Sequence, residues 1–161
     1  MKDCCMTADG AWFRYRVGAV IVADDCALFA RTERGRYYYS VGGGVHIGER
    51  SDEAVVREVL EETGERFEVV RPLFLAENFF HGEDGSVDGL ACHTLELYYL
   101  MTSAVKREYS AQSVTADSER ERLYWLPLDR LDEYDVRPSL LKRVICGGIP
   151  ESFERYVNDG R

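Results

Sequence analysis

The sequence has no apolar run near the 18 or so residues that a membrane-spanning helix needs, so no span is expected. Its N-terminus, MKDCCMTADG, has no apolar core of the kind a secretory signal carries. It has no CxxC pair, which removes the common zinc spacings. The cysteines Cys4, Cys5, Cys26, Cys92 and Cys146 are odd in number and, without a signal, read as reduced thiols in a cytoplasmic protein. Cys4-Cys5 reads as part of a mobile tail, with a reactive thiol pair as the alternative. Net positive charge is also lacking. At −9, the chain has no general attraction for nucleic-acid backbones. A polyphosphate ligand would therefore have to be met by local positive charge, from a bound metal or from placed arginines. No internal repeat, linker or low-complexity segment is visible.

What is present suits a single globule. The 161 residues, 45% hydrophobic and 30% charged, can bury a core without staples. A flexible lead over residues 1–10 and one domain over 11–161 are expected. Trp12–Ala23 begins with alternation and becomes continuously apolar, a strand entering the core. Asp24-Asp25 reads as a turn into a second strand at Ala27–Thr32, and Tyr37–Val41 as a short aromatic strand. Phe67–Phe80 reads as strand broken at Pro72, His81–Gly89 as a loop, and Cys92–Thr102 and Leu123–Leu126 as strands. Pro127–Leu131 reads as a turn or short helix, Ser139–Cys146 as a helix, and Phe153–Val157 as an edge strand. Several strands with two helices make the fold class α/β (α+β), with a mixed sheet.

One helix carries the chemistry. Ser51 is a suitable N-cap, Asp52 and Glu53 favour the first turn, and Ala54, Val55, Val59 and Leu60 form an apolar stripe. Gly64 supplies the stop, so the helix is expected over Asp52–Thr63. Glu58, Glu61 and Glu62 then lie at i, i+3 and i+4, on one face. Three like charges there repel, so either the face is solvated or a cation binds to it. An oxygen-preferring ion, Mg²⁺ or Mn²⁺, fits, because such ions take few carboxylates together with water and phosphate oxygens. Arg57 and Glu49 can pair bidentately and fix rotamers beside the cluster. The glycines at Gly42, Gly43 and Gly44 allow close backbone approach, so that a loop carbonyl can reach a metal.

The full pattern runs from Gly43 through Glu49, Arg57-Glu58-Val59 and Glu61-Glu62 to Gly64. So many fixed letters coincide by chance on the order of once in 10⁸ starting points. The pattern resembles the Nudix box of the Nudix (MutT-type) hydrolases, here Gly43–Glu65, and the Trp-Leu-Pro-Leu-Asp segment at Trp125–Asp129 is similar to one common in that family. The resemblance extends over roughly Phe13–Leu131. Departures are Glu65 where an apolar residue is usual, Val41 where proline is frequent, and His46 where an acid is frequent. Neither Glu65 nor Val41 falls on a catalytic position.

The resemblance implies an α/β/α sandwich and Mg²⁺-dependent hydrolysis of a diphosphate linkage in a nucleoside di- or triphosphate or another nucleoside diphosphate-X compound. It makes Glu58, Glu61, Glu62 and the Gly43 carbonyl the metal ligands, with Arg57 and Glu49 orienting them. A catalytically silent nucleotide-binding or sensor domain is the alternative, and an acidic metal-buffering protein a weaker one. The general base stays open among Glu58, Glu62, Glu83, Glu96, Glu108, Glu119 and Glu121, with Glu119 and Glu121 favoured by their place before a strand. Arg14 and Arg16 alternate along one strand face, and with Arg31, Arg34 and Arg36 they are candidates to grip phosphates. Solvated strand charge is the plain alternative. Trp12, Tyr37, Tyr38, Tyr39, Phe79 and Phe80 are either core or base-stacking residues. His81 and His93 are too isolated to form a metal pair. The expected partner is a small nucleotide or diphosphate, with a homodimer left open and no membrane.

Overall fold

In the computed structural model, which describes residues 2–83, 85–102, 108–109, 120–146 and 148–160, the N-terminal lead departs from expectation. Cys5–Ala8 form β1, antiparallel to β2 (Ala11–Val20). The turn between them is Asp9-Gly10, with φ of 51° and 75°. Asp-Gly is a strong two-residue hairpin signal, and here it outweighs the polar character of the lead. The lead is also bonded on its other side. Cys4 N–H donates to the Val45 carbonyl at 2.8 Å, and Ile47 N–H donates to the Lys2 carbonyl at 2.9 Å.

After β2 the chain passes through Ile21 into β3 (Val22–Ala23) and turns at Asp24-Asp25 into β4 (Cys26–Thr32). Both aspartates have positive φ, 47° and 56°, as a two-residue hairpin requires. β5 is Tyr39–Ser40, shorter than the expected Tyr37–Val41. The helix forms as α1 (Ser51–Thr63). Its N-cap is Arg50 rather than Ser51, because the Ser51 hydroxyl pairs with the Tyr99 hydroxyl at 2.7 Å instead of capping. Gly64 ends the helix in the left-handed conformation at φ 76°, donating to the Leu60 carbonyl.

β6 (Val69–His81) continues through Pro72. The expected break is absorbed as register shifts between Val69 and Arg71 and between Pro72 and Phe74. β7 (Ala91–Met101), β8 (Glu121–Pro127), a 3-10 turn at Leu128–Glu133, α2 (Ser139–Cys146) and β9 (Glu154–Asp159) follow.

One sheet has five strands in the order β1-β2-β7-β6-β9, with β2 parallel to β7 and β6 parallel to β9. The other has four, β3-β4-β5 with β8 also on β4. Alternation along the strands divides the core in two. Val17, Ala19, Ile21 and Leu28 pack with Ala54, Val55 and Val59 of α1. Val20, Ala27, Phe29, Phe74 and Tyr98 pack with Leu140, Leu141, Val144 and Ile145 of α2. The sheets are thus a mixed layer between two helices. Among the described residues no helix is long and apolar enough to cross a membrane.

Phe74 is fully buried, and its ring stacks on Tyr98 at 4.4 Å. Phe74→Ala should cost about 3–5 kcal/mol, read as a lowered urea midpoint at unchanged slope.

Candidate active site

Strand β2 aligns the glycine segment alongside itself. Val17 N–H donates to the Gly43 carbonyl at 2.9 Å and Ala19 N–H to the Val41 carbonyl at 2.8 Å, while Arg16 bridges to Gly44. Helix α1 presents Glu58 against this segment. A Cβ on Gly43 would collide with the Glu58 carboxylate, so only glycine allows the approach. Gly42 has φ 135°, and a Cβ there would strike the Val17 carbonyl.

Arg57 is the hub. Its Nε and Nη2 donate to the two oxygens of Glu49 at 2.8 and 2.9 Å, a bidentate clamp. Nη1 donates to Glu58 Oε1 at 2.6 Å, and Nη2 also reaches the Gly44 carbonyl at 3.0 Å. Glu61 stands 3.6 Å from Nη1 and is 56% exposed. Glu49 additionally accepts the His46 N–H at 2.9 Å. These donors, Arg57 first, hold the Glu49 carboxyl down at about 2. His46 also stands 3.6 Å from Asp3 of the lead, a link that depends on strand pairing and is not visible in the sequence.

Glu58 and Glu62 behave in the opposite way. Burial raises the proton affinity of Glu58 despite its Arg57 partner. Glu62 is 4% exposed, and burial, then the nearby Glu121 and Glu58, push its carboxyl well above the usual range. Its Oε1 accepts the Gly42 N–H at 2.8 Å, while Oε2 is buried with no hydrogen-bond partner. A buried carboxylate oxygen with no donor is costly and asks for a cation or a proton.

The other predicted residues separate clearly. Glu121 lies beside Glu62 and accepts the Tyr39 hydroxyl, which loses acidity through burial and this bond. Glu119 lies outside the described residues. Glu83 and Glu108 are exposed, Glu83 within 3.7 Å of Arg137. Glu96 is buried and accepts the Thr94 and Tyr98 hydroxyls at 2.6 and 2.7 Å. Arg14 and Arg16 share a strand face as expected. Arg14 pairs with Asp3 at 3.3 Å, and Arg16 donates to the Gly42 carbonyl at 3.3 Å. Arg31 lies over the Tyr38 and Tyr124 rings, 4.7 Å from each centroid, and donates to both hydroxyls. It is a packing residue in this structure rather than a free phosphate grip. Arg34 and Arg36 are exposed. Of the aromatics, Phe79 stacks on His93 at 4.3 Å, and Tyr37 carries Arg137 at 4.6 Å.

Among the described residues no three His, Cys, Asp or Glu side chains converge in metal-ligating geometry. The arrangement explains why: Arg57 draws Glu58 Oε1 to itself, and Glu61 points to solvent. The donor set still fits a hard divalent ion, because the unpartnered Glu62 Oε2, Glu58 and Glu61 are all carboxylate oxygens. The Gly43 carbonyl accepts one N–H and keeps a second lone pair.

The family model described as NUDIX domain matches residues 12–144, and the chain belongs to that family. It is a hydrolase acting on pyrophosphate bonds. Solved structures of similar fold include the MutT protein of Bacillus halodurans, 18% identical, covering 92% of this chain and 93% of that one at a TM-score of 0.57. The MutT Nudix hydrolase of Burkholderia pseudomallei is 26% identical, covering 73% and 84% at 0.52. A UDP-X diphosphatase is 17% identical, covering 88% and 66% at 0.56. No curated protein matches the chain.

The raised proton affinity of Glu62 gives a signed stability effect. Its folded carboxyl holds a proton to higher pH than the unfolded one, so stability falls as pH rises above the ordinary glutamate range of about 4.5. Glu62→Gln keeps an acceptor for Gly42 and removes that penalty. In metal-free buffer the variant should melt higher than the parent at pH 8, by roughly 2–4 °C per kcal/mol relieved. The difference should disappear towards pH 4, as scanning calorimetry at the two pH values would read.

Proposed function

We propose that the protein is a Mg²⁺- or Mn²⁺-dependent pyrophosphohydrolase of a nucleoside di- or triphosphate or another nucleoside diphosphate-X compound. The observation that carries this is the buried, unpartnered Oε2 of Glu62 beside Glu58 and the glycine segment. Glu58, Glu61, Glu62 and the Gly43 carbonyl would hold the ion. When bound, it supplies polarisation of the phosphoryl group and neutralises developing charge.

The remaining chemistry belongs to the chain itself. Arg57, fixed by Glu49, locks the helix face to the glycine segment and sets where Glu58 stands. Glu121, which Tyr39 orients, takes the proton of the attacking water. The water oxygen forms the new P–O bond as the bridging P–O bond breaks, and the bridging oxygen stays on the second fragment, so that a nucleotide and the remaining phosphate-bearing group are released. Arg14 is partly exposed beside the segment, and Arg36 is exposed at the chain's approach to it, so these two supply phosphate contacts. Arg16 and Arg31 are engaged with the protein's own groups.

A panel of nucleoside triphosphates, ADP-ribose, dinucleoside polyphosphates and UDP-linked compounds, assayed in Mg²⁺ and Mn²⁺, tests the reading. Turnover should appear for one class and vanish with EDTA. Glu62→Gln and Glu58→Gln should each lower kcat by orders of magnitude with the fold retained, and Glu121→Gln by about 10²–10⁴-fold. Full activity in both box variants would overturn the metal assignment. Tight nucleotide binding with no turnover in either metal would instead identify a sensor domain.

A further inference from the structure

Arg16 sits opposite Glu96 in the parallel register of β2 and β7. Its Nη1 lies 3.8 Å from Glu96 Oε2. Glu96 is 3% exposed, and its two oxygens take the Thr94 and Tyr98 hydroxyls. Each oxygen thus accepts one hydroxyl, and the two bonds fix the orientation of the carboxyl group. Arg16 uses Nη2 on the Gly42 carbonyl, while the same residue's N–H supports Glu62 Oε1. Gly42 has a φ of 135°, open to glycine alone. Its N–H, in the peptide whose Val41 carbonyl accepts the Ala19 N–H, donates to Glu62, while Arg16 holds the next peptide at the Gly42 carbonyl.

The charges make this arrangement a contest. After Glu96, the carboxylates acting on Arg16 are Glu62 and Glu58. A guanidinium released from Glu96 would find the unpartnered Oε2 of Glu62, the atom a divalent cation would use. We propose that Glu96 is a positioning residue for Glu62: it holds Arg16 on itself and on the Gly42 carbonyl, away from Glu62 Oε2, and so keeps that oxygen open for the metal. This rests on the metal reading above. It also gives Glu96, one of the candidate bases, a role that runs through Arg16 rather than at the attacking water.

The test is Mn²⁺ binding to the full-length protein without substrate, by calorimetry or by electron paramagnetic resonance. Glu96→Gln should weaken Mn²⁺ binding about 10–100-fold, the usual cost of losing an outer partner of a ligand. The double variant Arg16→Met/Glu96→Gln replaces the buried pair with uncharged groups and should regain most of that affinity, because no guanidinium is left to compete. Thr94→Val, which removes one donor to Glu96 and keeps its charge, should weaken binding in the same direction by less, and it serves if Glu96→Gln does not fold. With substrate, Glu96→Gln should lower kcat with little change in KM at saturating metal.

Parent-like Mn²⁺ affinity in folded Glu96→Gln, or in Thr94→Val should Glu96→Gln not fold, overturns the proposal. So does a double variant as weak as the single. A raised KM at unchanged Mn²⁺ affinity would place Arg16 on the substrate and also overturn it. Glu62→Gln is the control. If the parent does not bind Mn²⁺, or Glu62→Gln binds it equally well, the metal reading fails and this inference with it. If the control behaves and Glu96→Gln does not, only the inference fails.

Discussion

The site depends on one guanidinium. Arg57 joins Glu49 before the helix, Glu58 on the helix and the Gly44 carbonyl of the glycine segment. Helix α1 is otherwise held by an apolar stripe, which fixes its distance from the sheet but resists sliding poorly. The Arg57 contacts fix its phase. Lysine could not do this, having no planar fork to satisfy Glu49 with two bonds while turning a third towards Glu58. Once α1 is fixed, Glu58 rests on the bare Cα of Gly43 and Glu62 reaches the Gly42 amide. The glycines follow from that approach: at both positions a Cβ would overlap an atom the site needs.

The cost falls on the carboxylates. Glu49 is over-supplied with donors, and its carboxyl is held near 2. Glu62 receives one amide, is buried, and stands near Glu58 and Glu121. Carboxylates of one small site are thus driven apart in proton affinity by their surroundings, a pattern typical of functional sites. Structural stability alone would favour an apolar residue or a fully bonded polar one at Glu62. A residue that destabilises the empty protein fits the proposed role of holding a cation.

Some of this was legible in the chain and some was not. The spacing of Glu58, Glu61 and Glu62 gave the shared face, because helical periodicity is local and strong. Gly64 gave the helix end for the same reason. The start was read one residue late, because the hydroxyl of Ser51 is drawn to Tyr99, far along the chain. Pro72 was given too much weight as a breaker, since a bulge accommodates it without ending the strand. The lead forms a strand where a flexible segment is expected, and Asp9-Gly10 already carries the hairpin signal. The roles of Arg16 and Glu96 could not be read at all. They become neighbours only through the parallel register of β2 and β7, and alternation along either strand shows a face but not the partner across it.

That register also bears on how an acidic chain meets a polyphosphate. Arginines are the obvious answer in the sequence, yet Arg16 leans on Glu96 and Gly42, Arg31 on two tyrosines, and Arg14 on Asp3. Arg14 and Arg16 each face a carboxylate, while Arg31 is held over neutral rings. A guanidinium left free beside Glu58 and Glu62 would collapse onto them and take the place of the cation. Holding Arg16 and Arg31 on the protein's own groups protects the carboxylates from their neighbours, and under the proposed function leaves Arg14, Arg36 and the ion to meet phosphate. The net charge of −9 is then no obstacle to a phosphate substrate.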